Sequence, residues 1–203
     1  MKKIYLIRHG HTDWNGEDRL QGSMDIELND LGRRAAELLA ERLRRERIDV
    51  IYSSPLKRAY ETALIINKFH NVEIIILEEL HEIRCGEFEG LYYHEIKEKF
   101  PDFWEKWRTS PRIPMPGGES IEDVWKRAKK ALEKVFADER EHVLISGHGA
   151  MNRMVMSAFM GIDPQTARFF KQENAALNIL EAKGNRRYLV LWNDISHLEQ
   201  IND

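Results

Sequence analysis

Arg8-His9-Gly10-His11 closes the apolar run Ile4-Tyr5-Leu6-Ile7, so a cation and an imidazole stand where a buried strand ends. Ligands of open α/β sheets bind beyond the carboxyl ends of strands, which places this pair where an anion would sit. Arginine offers a fixed fork of donors for phosphate or carboxylate, and a neutral imidazole beside it can attack phosphorus. Two more segments end alike. Asp49-Val50-Ile51-Tyr52-Ser53 leads through Ser54-Pro55 into a helical pattern carrying Arg58 in its first turn, and His142-Val143-Leu144-Ile145-Ser146 leads into Gly147-His148-Gly149. Taken singly, each histidine reads as a structural residue and Arg58 as a solvated one, like its neighbour Lys57. Arg8 and His9, Arg58 and His148 at three equivalent strand ends together describe one phosphate site.

Leu80-His81-Glu82-Ile83-Arg84-Cys85-Gly86-Glu87-Phe88-Glu89-Gly90 interrupts the chain after a third apolar run with carboxylates and glycines. Cleaving a phosphate ester needs a proton delivered to the leaving oxygen and later removed from water, and a partly buried Glu82 suits both tasks. Glu87 and Glu89 compete for that role, although a loop glutamate is more often solvated. His9 must be neutral to attack, which nearby arginines favour, and Arg8, Arg58 and a protonated His148 would supply positive charge to the phosphoryl oxygens.

The elements that must position these groups follow from periodicity. Leu31, Ala35, Leu38, Leu39 and Leu43 keep helical spacing behind a cap at Asn29 or Asp30, and Leu56 to Phe69 is a second helix with Ser54-Pro55 at its start. Val72 to Leu77 reads as a strand. Ser120 with Asp123 opens a helix through Phe136, and Ala150 to Met160 is a helix closed by Gly161. Ala176–Leu180 and Tyr188–Trp192 form a hairpin. The alternation predicts an α/β three-layer sandwich: a mostly parallel central sheet flanked by helices, ending in an antiparallel hairpin. Residues 89–118, with an aromatic helix through Tyr92, Tyr93, Ile96, Phe100, Phe103, Trp104 and Trp107 and a run of Pro and Gly, read as a small helical cap inserted in one domain spanning 1–203. Arg84, Arg108 and Arg112 on or near it are candidates for a substrate carboxylate. Phe88, Tyr92, Tyr93 and Trp107 either stack on a ligand or form the cap's own core.

Composition narrows the function. Lys and Arg number 31 against 34 Asp and Glu, a net charge of −3, with no basic run that would mark a nucleic-acid surface, so anion selectivity must be local. No stretch approaches the roughly 18 apolar residues of a membrane span. One cysteine, Cys85, excludes an intrachain disulfide, and the first apolar stretch is too short for a signal peptide, so a cytoplasmic protein is expected. Monomer and homodimer both stay open.

Arg8-His9-Gly10, Ser53 to Ala59 with Glu61-Thr62-Ala63, Glu82 to Gly90, Gly117-Gly118-Glu119-Ser120 and Ser146-Gly147-His148-Gly149 resemble, in order and over nearly the whole chain, the histidine phosphatase or phosphoglycerate mutase-like superfamily. The resemblance implies a phosphohistidine mechanism without metal or cofactor, acting on a small phosphorylated metabolite. By matching position, His9 is the nucleophile and Glu82 the proton donor and then general base. Arg8, Arg58 and His148 form the phosphate pocket with Asn15 and Gly149, and Thr12, Gln21 and Gly22 line its substrate side. The family usually carries Glu or Gln where this chain has His11, which leaves open how the His9 loop is supported.

Within the family, mutases carry a longer insertion between the acid/base glutamate and the second histidine, which keeps water from the phosphohistidine. The shorter stretch from Glu82 to His148 favours a phosphatase, with a cofactor-dependent phosphoglycerate mutase as the alternative. A more distant alternative is a metal-dependent hydrolase ligating through His9 and His11 with His148 and Asp13, against which the flanking Arg8 and Arg58 would repel a cation. A non-catalytic phosphate-binding module would be expected to lack one of His9, Glu82 or His148, and none is missing.

Overall fold

The computed structural model describes residues 1–201. Strand β1 (Lys2–Arg8) is buried on both faces, and its side chains alternate between two cores as a strand of period two requires. Ile4 and Leu6 join one core; Tyr5 and Ile7 join the other. The same alternation runs through β2 (Val50–Ser53) and β4 (His142–Gly147), where Val50, Tyr52, Val143 and Ile145 face the first core and Ile51 and Leu144 the second. Helices α6 (Ile121–Ala137) and α7 (Gly149–Met160) cover the first face, and α2 (Asp30–Leu43) and α3 (Lys57–Asn67) the second, which completes the three layers.

The six-stranded sheet runs β3-β2-β4-β1-β5-β6, with β3 spanning Ile74–Ile76, β5 Leu177–Lys183 and β6 Arg186–Asp194. Strands β1 to β4 are parallel; β5 returns antiparallel to β1 and hairpins into β6. Because β4 lies between β2 and β1, with Arg8 opposite Gly147 and Ser53 opposite Ser146, the three polar strand ends emerge side by side. Among the described residues, no helix is long and apolar enough to cross a membrane.

Local differences from the periodicity have physical causes. The stretch 72–77 pairs only through Ile74–Ile76, since it is an edge strand whose partner β2 is itself short. The hairpin is longer than its apolar residues indicate, because ladder hydrogen bonds extend through Lys183 and Arg186 to the Gly184-Asn185 turn. The aromatic helix is two helices, α4 (Tyr93–Lys99) and α5 (Pro101–Thr109), broken at Phe100 because Pro101 has no N–H to continue the ladder and instead starts the next helix. Ser54 does not cap α3; Leu56 occupies that position, and the Ser54 hydroxyl serves other partners.

Asn29 does cap α2 through Gly32 N at 2.8 Å. Ser120 and Asp123 form a reciprocal capping box at the start of α6, with Asp123 N donating to Ser120 Oγ at 3.1 Å and Ser120 N donating to Asp123 Oδ2 at 3.1 Å. Replacing Ser120 by Ala should lower unfolding free energy by about 1 kcal/mol. Urea titration would read this as a lower midpoint at unchanged slope.

Candidate active site

His9 is held at three points of its backbone. Its N–H donates to Gly147 O at 3.1 Å, and its carbonyl accepts Ala175 N at 3.0 Å and Asn174 Nδ2 at 3.2 Å. The turn that follows packs directly on the start of α2, where a Cβ on Gly10 would lie 2.4 Å from Gly32 O, so only glycine permits this approach. His9 Nδ1 lies 2.7 Å from Gly10 O. A carbonyl can only accept, so Nδ1 carries the proton and Nε2 presents its lone pair. Burial, then Arg58 and Arg8, hold this imidazole well below the usual histidine range, and it is neutral.

The cations around it are tied to backbone carbonyls instead of carboxylates. Arg8 Nη1 donates to Gln172 O at 2.5 Å. Arg58, 1% exposed, donates through Nη1 to Met24 O at 2.6 Å and through Nη2 to Gly22 O at 2.9 Å. The Nε atoms of both arginines are buried without an acceptor. Burial pulls Arg58 down to about 10. Each guanidinium is thus fixed in place with donors left over, as an anion pocket requires.

His148 stacks obliquely on His9 with ring centroids 5.2 Å apart. Its Nε2 lies 2.7 Å from Ser54 Oγ, and its Nδ1 is buried without a partner. Ser54 Oγ also accepts Leu56 N at 3.3 Å, so its own proton is available to Nε2, an arrangement that leaves Nδ1–H as an unspent donor. Burial, then Arg58 and His9, hold the His148 ring well below the usual histidine range, so it is a neutral donor and not the protonated one that phosphate binding alone suggests.

Glu82 reaches the start of α7. Its Oε2 accepts Ala150 N at 3.1 Å, and its Oε1 accepts Met151 N at 3.1 Å and Ile83 N at 3.0 Å. The loop that carries it is clamped by Arg127 on α6, whose Nη1 donates to Glu79 O at 2.9 Å and His81 O at 2.8 Å, and whose Nη2 donates to Glu82 O at 3.3 Å. Glu119 orients that clamp, accepting Arg127 Nε and Nη2 at 2.8 Å each. Glu89 is a structural residue, its Oε1 accepting Ser23 N at 2.7 Å and Cys85 N at 3.0 Å, and Glu87 is exposed.

These groups meet at a cavity of about 630 Å³ lined by Arg8, His9, Asn15, Gln21, Gly22, Arg58, Glu82 and Gly149. Two expected residues do not reach the lining. His148 is fully buried with its ring against His9, its unspent Nδ1–H the group it holds for an anion, and Thr12 is fully buried, where its Oγ1 accepts Asn15 N at 3.3 Å as the cap of the short helix α1 (Asp13–Gly16). Asn15 Oδ1 is occupied by Thr12 N at 3.1 Å and Asn174 Nδ2 at 3.2 Å, which leaves its amide N–H groups for the cavity. His11 lines the cavity too, but Asp13 is exposed and takes Asn29 Nδ2 at 3.1 Å. No group of three or more His, Cys, Asp or Glu that could hold a metal ion occurs among the described residues.

Residues 89–118 supply Tyr93, Ile96, Trp104, Trp107, Arg108 and Met115 to one wall of the cavity. Arg84 and Arg112 are exposed and do not line it, and Arg112 faces Glu122 at 3.2 Å. Sequence reasoning missed Asn174, Gln172 and Arg127. The polar run Gln172-Glu173-Asn174 immediately before an apolar strand was a usable signal; the Arg127 clamp had none, since it bonds to carbonyls far away in sequence.

The family model for the histidine phosphatase superfamily (branch 1) matches residues 4–195, and the chain belongs to that superfamily. Its members imply catalysis through a phosphorylated histidine, and the chain is a phosphatase-class enzyme. It is 36% identical over 203 residues to "Phosphoserine phosphatase 1" of Hydrogenobacter thermophilus, covering 99% of this chain and 96% of the relative. A mutant phosphoserine phosphatase from Entamoeba histolytica, solved in complex with phosphoserine, superposes with a TM-score of 0.87 at 28% identity, covering 98% of this chain and 100% of that one. A mycobacterial glucosyl-3-phosphoglycerate phosphatase solved with VO3 superposes with a TM-score of 0.89 at 29% identity, covering 95% and 99%.

Two outcomes follow from this geometry. Arg127→Met should release the Glu82 loop and lower kcat on the order of 10- to 100-fold, with a smaller change in KM, as steady-state kinetics on a phosphate ester would measure. The second concerns pH. Unfolded histidines bind protons below about pH 6.5, whereas His9 and His148 in the fold do so only well below it. The unfolded state therefore binds more protons as pH falls from 6.5, and each of the two removes stability at up to about 1.4 kcal/mol per pH unit. The pH slope of unfolding free energy between pH 6 and 5 should shrink by one proton's worth in a His148→Gln variant.

Proposed function

We propose that His9 Nε2 attacks the phosphorus of a small phosphomonoester, with Arg8, Arg58 and the Nδ1–H of His148 bonding the phosphoryl oxygens. The observation that carries this reading is the neutral His9 ring, its lone pair set at Nε2 by the Gly10 carbonyl and its flanks occupied by two guanidinium groups with unspent donors. Positive charge placed where the three equatorial oxygens gather charge is the main demand of phosphoryl transfer. Asn15 and the backbone at Gly149 extend this pocket in the proposal, and Gln21 and Gly22, which also line the cavity, are assigned to the substrate side.

Glu82 is the proposed acid and base. It protonates the leaving alcohol oxygen as the N–P bond forms and the P–O bond breaks, then takes a proton from the water that hydrolyses the phosphohistidine, returning His9 and releasing phosphate. Helix α7 aims the carboxyl for both steps through the N–H groups of Ala150 and Met151. Relatives matched along nearly their whole length and named as phosphatases favour hydrolysis over mutase chemistry, and phosphoserine is the first substrate to try. Composition, with one cysteine that is buried, suits a reducing compartment, and the proposal includes a cytoplasmic location.

The test is phosphate release in excess chelator from phosphoserine, 3-phosphoglycerate and glycerol 3-phosphate. His9→Ala should abolish release while keeping the fold, and Glu82→Gln should lower it by about 10²- to 10⁴-fold. Undiminished release by folded His9→Ala would reject the nucleophile. Rapid isomerisation of 3-phosphoglycerate in the presence of its bisphosphate, with little free phosphate, would turn the reading to a mutase.

A further inference from the structure

The cavity lining carries six arginines against three carboxylates, in a chain whose net charge is −3. Most of these arginines have an evident task. Arg8 and Arg58 flank His9. Arg19 faces Glu17 at 3.4 Å and donates to the Tyr92 hydroxyl at 3.0 Å, and Arg108 is exposed beside Glu105. Arg168 is anchored over the Trp107 ring at 4.0 Å and donates through Nη1 to Trp107 O at 2.6 Å and Gln165 Oε1 at 3.1 Å. Arg153 has none of this. It sits on α7, deep in the molecule with its open surface toward the cavity, and makes no hydrogen bond or ion pair to any described residue.

Arg153 is half-buried, and burial lowers its guanidinium below the usual arginine range; a guanidinium drawn largely out of bulk water into a cavity, with no protein group bonded to it, is one that an anionic ligand completes. Its surroundings are short of negative charge. Glu82 is the carboxylate that Arg153 feels, and Arg8 and Arg58 feel that same carboxylate. Burial and the nearby Arg153 pull Arg168 down to about 10, so positive charge is in excess on this side. Trp107 Nε1, in the ring beneath Arg168, is a further buried donor without an acceptor.

We propose that Arg153 is a second anion subsite of this cavity, pairing the carboxylate of a three-carbon phosphomonoester whose phosphoryl group lies between Arg8 and Arg58. The spacing comes from helix α7. The Arg8 guanidinium packs against the first residue of that helix, its Cζ 3.6 Å from where a Cβ on Gly149 would be, an ordinary contact distance. Arg153 follows four residues later on the same helix face, about one turn or 5–6 Å along the axis, a span that a three-carbon backbone bridges. One free planar fork matches a carboxylate, a planar monoanion, whereas the phosphoryl dianion already has two guanidinium groups. Arg153 is therefore a specificity residue: it distinguishes phosphorylated hydroxy or amino acids from phosphorylated alcohols. This assignment rests on the phosphatase reading for the position of the phosphoryl group.

The test measures binding without turnover. 3-Phosphoglycerate and glycerol 3-phosphate differ in that one has a carboxylate where the other has a hydroxymethyl group. Calorimetric titration of both into the full chain carrying His9→Ala, and into the same chain with Arg153→Met added, gives a preference ratio for each protein. Removing Arg153 should cut the preference for 3-phosphoglycerate by about 10- to 100-fold, the worth of a charge-assisted hydrogen-bonded pair. Inorganic phosphate, used as a third probe, should lose much less affinity. An unchanged preference, or an equal loss for all three probes, would overturn the subsite. Since Arg153 has no hydrogen-bond or ion-pair partner among the described residues, Arg153→Met should keep or raise the melting temperature of the unliganded protein, and a lower one would count against the assignment. If the native chain released no phosphate from any ester, the phosphatase reading would fail, while the binding ratio would still judge Arg153.

Discussion

Everything in this structure is arranged around positive charge that is buried before any anion arrives. Arg8 and Arg58 are brought beside His9 with no carboxylate bonded to either, and carbonyls of Gln172, Gly22 and Met24 hold them instead. Carbonyl dipoles fix a guanidinium in place without neutralising it, so its charge remains available to a phosphoryl group. Burial first, and then the same charge, keep His9 unprotonated, and a protonated imidazole could not act as a nucleophile. The arginines therefore contribute both to anion binding and to the nucleophile's neutral state.

Such a site is unfavourable on its own and must be enforced by the rest of the fold. The enforcement comes from both neighbours of β1 in the sheet. Strand β4, between β2 and β1, supplies the Gly147 carbonyl to His9 and leads into His148, while the loop ahead of β5 supplies Asn174 and Gln172. Asn174 Nδ2 reaches His9 O, Gly10 O and Asn15 Oδ1, so one amide ties the nucleophile loop to the α1 turn. Two well-packed cores lie beneath these contacts, and their burial offsets the cost of the charged rim.

Glu82 illustrates how a carboxyl is set among arginines without being captured by one. Its oxygens bond to backbone N–H groups of α7 and of Ile83, and Arg127 grips the loop carbonyls behind it while leaving the carboxyl itself alone. Direct pairing with Arg8 would quench both members of the site. The wall formed by α4 and α5 brings aromatic surface and the Arg168–Trp107 stack over the same cavity.

The amino-acid sequence by itself determined the strands and most helices, because alternation at period two and apolar stripes at period 3.6 record which faces are buried. It also singled out Arg8, His9, Arg58 and His148, since polar groups at the ends of apolar strands stand out against their neighbours, and Glu82 in the carboxylate-rich loop after the third strand. Only the tertiary structure decided that His148 is a neutral donor packed against His9, that Thr12 is a cap, and that the aromatic helix breaks at Phe100. Protonation depends on burial and on charges from other elements, and a hydroxyl's partner depends on which way its turn faces. The Arg127 clamp and the unpartnered Arg153 were likewise invisible in the chain, because what defines them is the set of groups that three-dimensional packing puts beside them, or leaves out.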